Sequence, residues 1–294
     1  MFVLGEAVDL FWSRLEQEVA ARAAAFRGVA AVKVLDLAGG RSVEYNAGVV
    51  LAAGSTIKVP VLMTLFRLAA AGTLDVERPY TLGPFDRVGD SGVLQHLEGE
   101  VTLSLRNLAI LMINLSDNTA TNVCIQAAGM EAVNRLLIHI GCRDTALRRL
   151  MIDWRAAAQG RENVTTARDM VRWLEVLYRG ELVNRETSEA VLAVLRKAKM
   201  TPLRRGLPAD VPLASKTGGL EGVRNEVGLV ELQRRPYVMA VMTAFSLDED
   251  NDAFITDLSR LVYAYMARLE RFTPYGRGLP AVGLDPQPGA SERE

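Results

Sequence analysis

Ser55 and Lys58 stand three residues apart in the stretch Ala53-Gly54-Ser55-Thr56-Ile57-Lys58-Val59-Pro60. On a helix that spacing puts both side chains on one face. A serine hydroxyl becomes a useful nucleophile only when a neighbour takes its proton. An ammonium cannot do this, but a lysine neutralised by burial or by positive neighbours can. The same residues also suit a plain helix start, with Ser55 as cap and Lys58 solvated. A second cluster, Ser116-Asp117-Asn118, falls between two helical stretches. Such residues commonly cap helices and make turns. Read chemically, Ser116 relays a proton, and Asn118 orients a substrate amide or the lysine. A third cluster is Lys216-Thr217-Gly218-Gly219, at a strand end. One reading is a hairpin turn. In the other, Lys216 binds an anionic group and Thr217 hydrogen-bonds it. The two glycines then let substrate lie along the strand edge, with the Gly219 N–H as an oxyanion donor.

The elements that must position these clusters follow from periodicity. Apolar residues recur at helical spacing from Gly5 to Phe26, and Gly28 to Leu37 is valine-rich and suits a strand. Ala38 to Arg41 is a turn, and Ser42 to Asn46 returns as the second strand of a hairpin. An apolar helix follows Ser55 and closes near Gly72. Residues 73–100 are rich in glycine and proline, and helical patterning resumes at Thr102 and continues in short helices to Ile140. From Arg148 to Asn163 the pattern weakens into a long connection, a place where function often resides. Helices are expected from Thr166 to Tyr178 and from Asn184 to Ala198. Strands are expected at 213–216, 225–233 and 237–245, then a closing helix from Ala253 to Phe272. The fold class is therefore α+β: an antiparallel sheet built from both chain ends and flanked by helices, with an all-helical region inserted. Residues 1–50 with 200–272 form the sheet part, and 51–199 form the helical part. Residues 273–294, rich in proline and glycine, are expected to be a disordered tail.

Composition narrows the function. The 294 residues are 49% hydrophobic and 23% charged, ordinary for a globular protein with a sizeable core. A net charge of −1 argues against nucleic acid and anionic membrane as partners. No run is long enough to span a bilayer. Met1 to Ala7 lacks a basic segment leading into an apolar one, so the chain as written is expected in the cytoplasm. It would be periplasmic or secreted if a leader had been trimmed. Cys124 and Cys142 lie in apolar stretches and read as buried thiols. The two histidines, His96 and His139, are far apart, so neither a zinc site nor any other cofactor is expected. The expected partner is a small-molecule substrate, and the expected state is a monomer.

Taken together and in this order, S-x-x-K, S-D-N and K-T-G form the set found in class A β-lactamases and penicillin-binding proteins. The chain resembles this superfamily of serine hydrolases from about Leu10 to Phe272. Residues 91–97, 108–122 and 225–230 share the likeness. The resemblance implies roles residue by residue. Ser55 is the acylated nucleophile and Lys58 the general base for acylation. Ser116 passes a proton to the leaving nitrogen, and Asn118 contacts the substrate side-chain amide. Lys216 and Thr217 bind the substrate carboxylate. The N–H groups of Ser55 and Gly219 form the oxyanion hole, and Arg224 is a further carboxylate-binding candidate.

The chain departs from the family in one place. Class A enzymes carry R-x-E-x-x-L-N in the loop after the middle motif, and its glutamate activates the water that frees the acyl-enzyme. Here the stretch is Arg148-Arg149-Leu150-Met151-Ile152-Asp153-Trp154-Arg155, with Leu150 or Met151 at the glutamate position. Neither takes a proton. Asp153 is the nearest carboxylate and the candidate deacylation base, while Glu162 can pair with Arg148 or Arg149 to close the loop. A missing general base typically costs ~10²–10⁴ in rate. The expected function is a β-lactamase-like acyl-enzyme hydrolase with slow deacylation. Alternatives are an esterase or D-Ala-D-Ala-type peptidase and, third, a penicillin-binding sensor that acylates once.

Overall fold

A computed structural model describes residues 6–197, 199–246 and 248–279. In chain order, helix α1 (Glu6–Ala25) leads into strands β1 (Val29–Asp36), β2 (Ser42–Tyr45) and β3 (Leu51–Ala52). Helix α2 (Lys58–Ala70) follows a tight turn at Gly54–Ile57. Two short strands, β4 (Pro79–Thr81) and β5 (Thr102–Ser104), precede α3 (Leu105–Asn114), α4 (Asn118–Ala128) and α5 (Met130–His139). The weakly patterned connection holds α6 (Trp154–Ala158) and β6 (Val164–Thr165). Then come α7 (Ala167–Arg179), α8 (Arg185–Leu195), α9 (Pro202–Arg205), strands β7 (Leu213–Leu220), β8 (Val223–Val230) and β9 (Tyr237–Ala244), and α10 (Asp248–Arg271).

The main sheet has five strands in the order β2-β1-β9-β8-β7, and every pairing is antiparallel. Strands from the two chain ends meet at its centre, where β1 runs against β9. The fold is the expected antiparallel sheet flanked by helices. Successive strand residues face opposite sides, so one strand feeds two cores. Val238, Ala240 and Met242 of β9 face the helical region, in a core with Trp173, Leu62 and Met112. Tyr237, Met239 and Val241 face the other way and pack with Leu15, Ile255 and Val262 of α1 and α10.

Two local features differ from the sequence reading. Thr102 to Ser104 pairs with Pro79 to Thr81 before α3 begins, so the helix starts at Leu105. Ser104 caps that helix by accepting from Asn107 N, which places its own backbone outside the helix. Of the expected tail, residues 273–279 fold back on α10: Thr273 N donates to Arg277 O at 2.9 Å and Leu279 N to Arg271 O at 2.8 Å. Residues 280–294 lie outside the described residues. No helix among the described residues is long and apolar enough to cross a membrane.

Candidate active site

Ser55 sits in the Gly54–Ile57 turn, a 3₁₀ helix that runs into α2. In this tighter helix residues i and i+3 eclipse, so Ser55 and Lys58 still share a side. Neither helix start is capped by a side chain, so Ser55 does not serve as a cap. Two contacts fix the turn against the sheet. Asn225 of β8 is fully buried, and its Nδ2 donates to Ala52 O at 2.8 Å and Ala53 O at 3.1 Å. Gly218 of β7 packs so closely that a Cβ there would stand 2.8 Å from Ala53 O and 2.9 Å from Ser55 N. Only a glycine permits that backbone-to-backbone approach. Gly54, at φ 52°, stands against the amide nitrogen of Gly219. The strand edge therefore lies directly beside the Ser55 turn.

Ser116 lies between α3 and α4 with φ 53°, a left-handed conformation that costs a non-glycine residue about 1–3 kcal/mol. The strain is held by the residues that follow. Asp117 caps α4, accepting from Ala120 N, and its other oxygen accepts from Leu94 N at 2.8 Å. Asn118 Nδ2 donates to Gly89 O, and Asn118 N to Ser91 O. The first turn of α4 thus clamps the loop at 89–94.

Lys58 is fully buried, and three oxygens surround its Nζ: Ser116 O at 2.7 Å, Ser116 Oγ at 3.1 Å and Asn118 Oδ1 at 2.9 Å. Lys216 Nζ reaches the same Ser116 Oγ at 3.1 Å, and Thr217 O at 2.8 Å. Burial lowers the Lys58 pKa to about 7, against the opposing pull of Asp117 and Asp90. Burial, reinforced by the neighbouring charge of Lys58, also drives Lys216 well below the ordinary lysine value. The site therefore holds two desolvated amines on one hydroxyl, and Lys58 can be neutral near physiological pH. Ser55, Asn118 and Gly219 line one cavity with Met151 and Trp154. Thr217 is half-buried on β7.

The family match now bears on this geometry. Residues 14–266 match the model described as the beta-lactamase enzyme family. The chain belongs to that family. It is a serine hydrolase of the class A β-lactamase type. A β-lactamase of Amycolatopsis lactamdurans is 28% identical over 270 residues, covering 87% of this chain and 84% of the relative. The crystal structure of a β-lactamase from Sphaerobacter thermophilus DSM 20745 superposes with a TM-score of 0.79 at 31% identity, over 87% of this chain and 98% of the other. The structure of PBP-A matches with a TM-score of 0.79 at 26% identity, over 86% and 95% of the two chains.

This β-lactamase-family enzyme closes its 148–163 loop with an ion pair. Arg149, not Arg148, makes it: Nε and Nη2 donate to Glu162 Oε1 at 3.0 and 2.7 Å. Asn163 Oδ1 accepts from the amides of Arg148 and Arg149 and ties the loop base. Met151 is clamped by Asn122, which accepts from Met151 N at 2.8 Å and donates to Met151 O at 3.2 Å. The adjacent Ile152 is forced to φ 64°, unusual for a β-branched residue.

Asp153 is not brought into the cavity. Its carboxylate caps α6, accepting from Ala156 N at 2.9 Å, and the residue is exposed. An N-cap carboxylate points at its own helix, and that is the physical reason it cannot face Ser55. Arg224 stands opposite Gly219 in the β7–β8 register, but its Nε donates to Asp252 Oδ1 at 2.7 Å. That guanidinium is half neutralised before any substrate arrives. His96 and His139 are both exposed and away from the cavity lining. Cys124 and Cys142 are buried free thiols, and no metal-binding cluster exists among the described residues. Two residues that sequence reasoning passed over shape the site. Asn225 is a polar residue on a valine-rich strand. Asp90 has no motif to mark it, yet it lines the cavity with Ser55.

Proposed function

We propose that the enzyme opens β-lactams by forming an acyl-enzyme on Ser55 and releases the product slowly. The shared contact of Lys58 and Lys216 with Ser116 Oγ carries this reading. Neutral Lys58 has a lone pair to accept the Ser55 proton as Oγ bonds to the lactam carbonyl carbon. The N–H groups of Ser55 and Gly219 stabilise the oxyanion. Ser116 then hands a proton to the ring nitrogen as the C–N bond breaks, drawing on Lys58. Asn118 meets the acyl side-chain amide, and Lys216 with Thr217 meets the substrate carboxylate. Arg224 adds to the carboxylate site only by sharing its charge with Asp252.

The cavity wall supports slow deacylation: it is lined by Met151, which stands at the family's glutamate position counted from Arg149, and Asp153 faces its own helix. Glu162 also lines it, but Arg149 and the Asn163 amide already engage its Oε1. A second reading, a penicillin-binding peptidase or esterase that holds its acyl group, is favoured by one further likeness. A PBP-A variant solved as an acyl-enzyme complex with penicillin G matches with a TM-score of 0.79 at 26% identity.

A chromogenic cephalosporin, followed by colour and by intact mass with Ser55→Ala as control, tests both. A burst of colour with an adduct that decays over minutes to hours supports slow turnover. A permanent adduct supports the penicillin-binding reading. No adduct and no colour overturns acylation by β-lactams.

A further inference from the structure

We infer that Asp90 is a substrate-specificity residue, selecting acyl donors that carry a cationic amine on the acyl side chain. The inference rests on the acyl-enzyme reading for the identity of the substrate, but its structural basis is separate.

Asp90 is held in place from both sides. Asn118 takes Gly89 O with its Nδ2, at 3.1 Å, and Ser91 O with its backbone N–H, at 3.0 Å. Asp90 lies between these anchors with φ 76°, a left-handed conformation that aspartate tolerates better than most residues. The residue is exposed and lines the cavity with Ser55 and Asn118. Its carboxylate has no hydrogen bond and no ion pair among the described residues.

The cations around it are already engaged. The outer cleft is lined by two guanidiniums, and both are committed: Arg149 to Glu162, and Arg224 to Asp252. Asp90 is left without a guanidinium partner in the cavity that Asn118 also lines, and the lysine whose charge it feels, Lys58, is buried and committed to Ser116 and Asn118. Trp154 lines the same space and leaves 61% of its surface exposed, although an indole is costly to leave in water. A free carboxylate that shares a cavity with an exposed indole suits an ammonium, which the one attracts by charge and the other by its ring quadrupole. Asn118 is the proposed contact for the side-chain amide, so a group one or two atoms beyond that amide falls beside Asp90.

Benzylpenicillin and ampicillin test this, because they differ only in an α-amino group on the acyl side chain. That amine is largely cationic at pH 7. Acylation of the wild-type enzyme is followed by intact mass, and equilibrium binding of both compounds is measured on Ser55→Ala. The expected preference for ampicillin is about five- to tenfold in both assays, shrinking in concentrated salt. Asp90→Asn brings the ratio to near one, and Trp154→Ala lowers it in part. Using the ratio cancels any effect of Asp90 on Lys58. Acylation of both compounds at equal rates overturns the inference and leaves the acyl-enzyme reading standing. A preference in binding without any acylation does the reverse. A preference that survives in Asp90→Asn assigns it elsewhere and overturns the inference.

Discussion

Lys216 Nζ stands 3.1 Å from Ser116 Oγ, although 100 residues separate them in the chain. The contact joins the edge of the main sheet to the turn before α4. Lys58 Nζ meets the same oxygen from the other side, so the hydroxyl is the one group common to both amines. Ser116→Ala removes it and leaves each lysine its carbonyl partner. Acylation by a β-lactam should slow by roughly 10²–10⁴, the range for lost proton transfer. Intact-mass kinetics read this directly. A rate within about threefold of wild type removes Ser116 from the relay.

On the acyl-enzyme reading, Lys58 should set the pH dependence of acylation. Its pKa is lowered to about 7 by burial, and only the neutral amine can take the Ser55 proton. Acylation should therefore rise about tenfold per pH unit below 7 and level off above it. The linked stability effect has the opposite origin. Between about 7 and 10.5 the unfolded lysine holds a proton that the folded one lacks, so stability rises with pH across that window. A flat acylation profile from pH 5 to 8 would falsify Lys58 as the base.

Met151→Glu should convert a slow enzyme into a faster one. The Asn122 clamp fixes the Met151 backbone, so the new carboxylate would enter the cavity wall beside Ser55. Deacylation should accelerate by up to ~10²–10⁴. The lifetime of the mass adduct measures it, and an unchanged lifetime means that the wall is not where water attacks.

Glu226 destabilises the fold at neutral pH. It is fully buried, its Oε1 has no partner, and burial raises its pKa from 4.5 to about 7. Between those values the folded carboxyl keeps a proton that the unfolded one has lost, so stability falls as pH rises. The full loss above pH 7 is on the order of 3 kcal/mol. Glu226→Gln keeps an acceptor for Leu203 N and removes the charge. It should raise the melting temperature at pH 8 and leave it nearly unchanged at pH 4.5. Equal shifts at both values would tie the effect to packing.

The three motifs were legible because each needs particular residue types at fixed spacing. The sheet was legible because β1, β8 and β9 announce themselves by runs containing several valines between turns, while β7, which has none, was placed by its position beside the K-T-G motif. The loop at 148–163 was read only in part. Arg149 and Glu162 were recognisable as a pair, but sequence spacing does not separate Arg149 from Arg148. Asp153 misled because a carboxylate near the family's position can equally cap a short helix, and Ala156 N decided it. Asp90 was silent because its place in the cavity comes from contacts that Asn118, 28 positions away in the sequence, makes with its neighbours Gly89 and Ser91. Arg224 looked like a free cation because Asp252 lies on another element.

The sheet order has a consequence for synthesis. Val29 pairs with Ala244, and β9 must be inserted between β1 and β8 before the sheet is continuous. Asn225 and Gly218 then brace the Ser55 turn from strands that leave the ribosome late. Pairings this distant form late in folding. The nascent chain thus emerges with its nucleophile early and its anchoring strand edge late. On the acyl-enzyme reading, competence waits for β7 and β8 to reach the Ser55 turn, so labelling of Ser55 by an acyl donor would report that this distant pairing has formed.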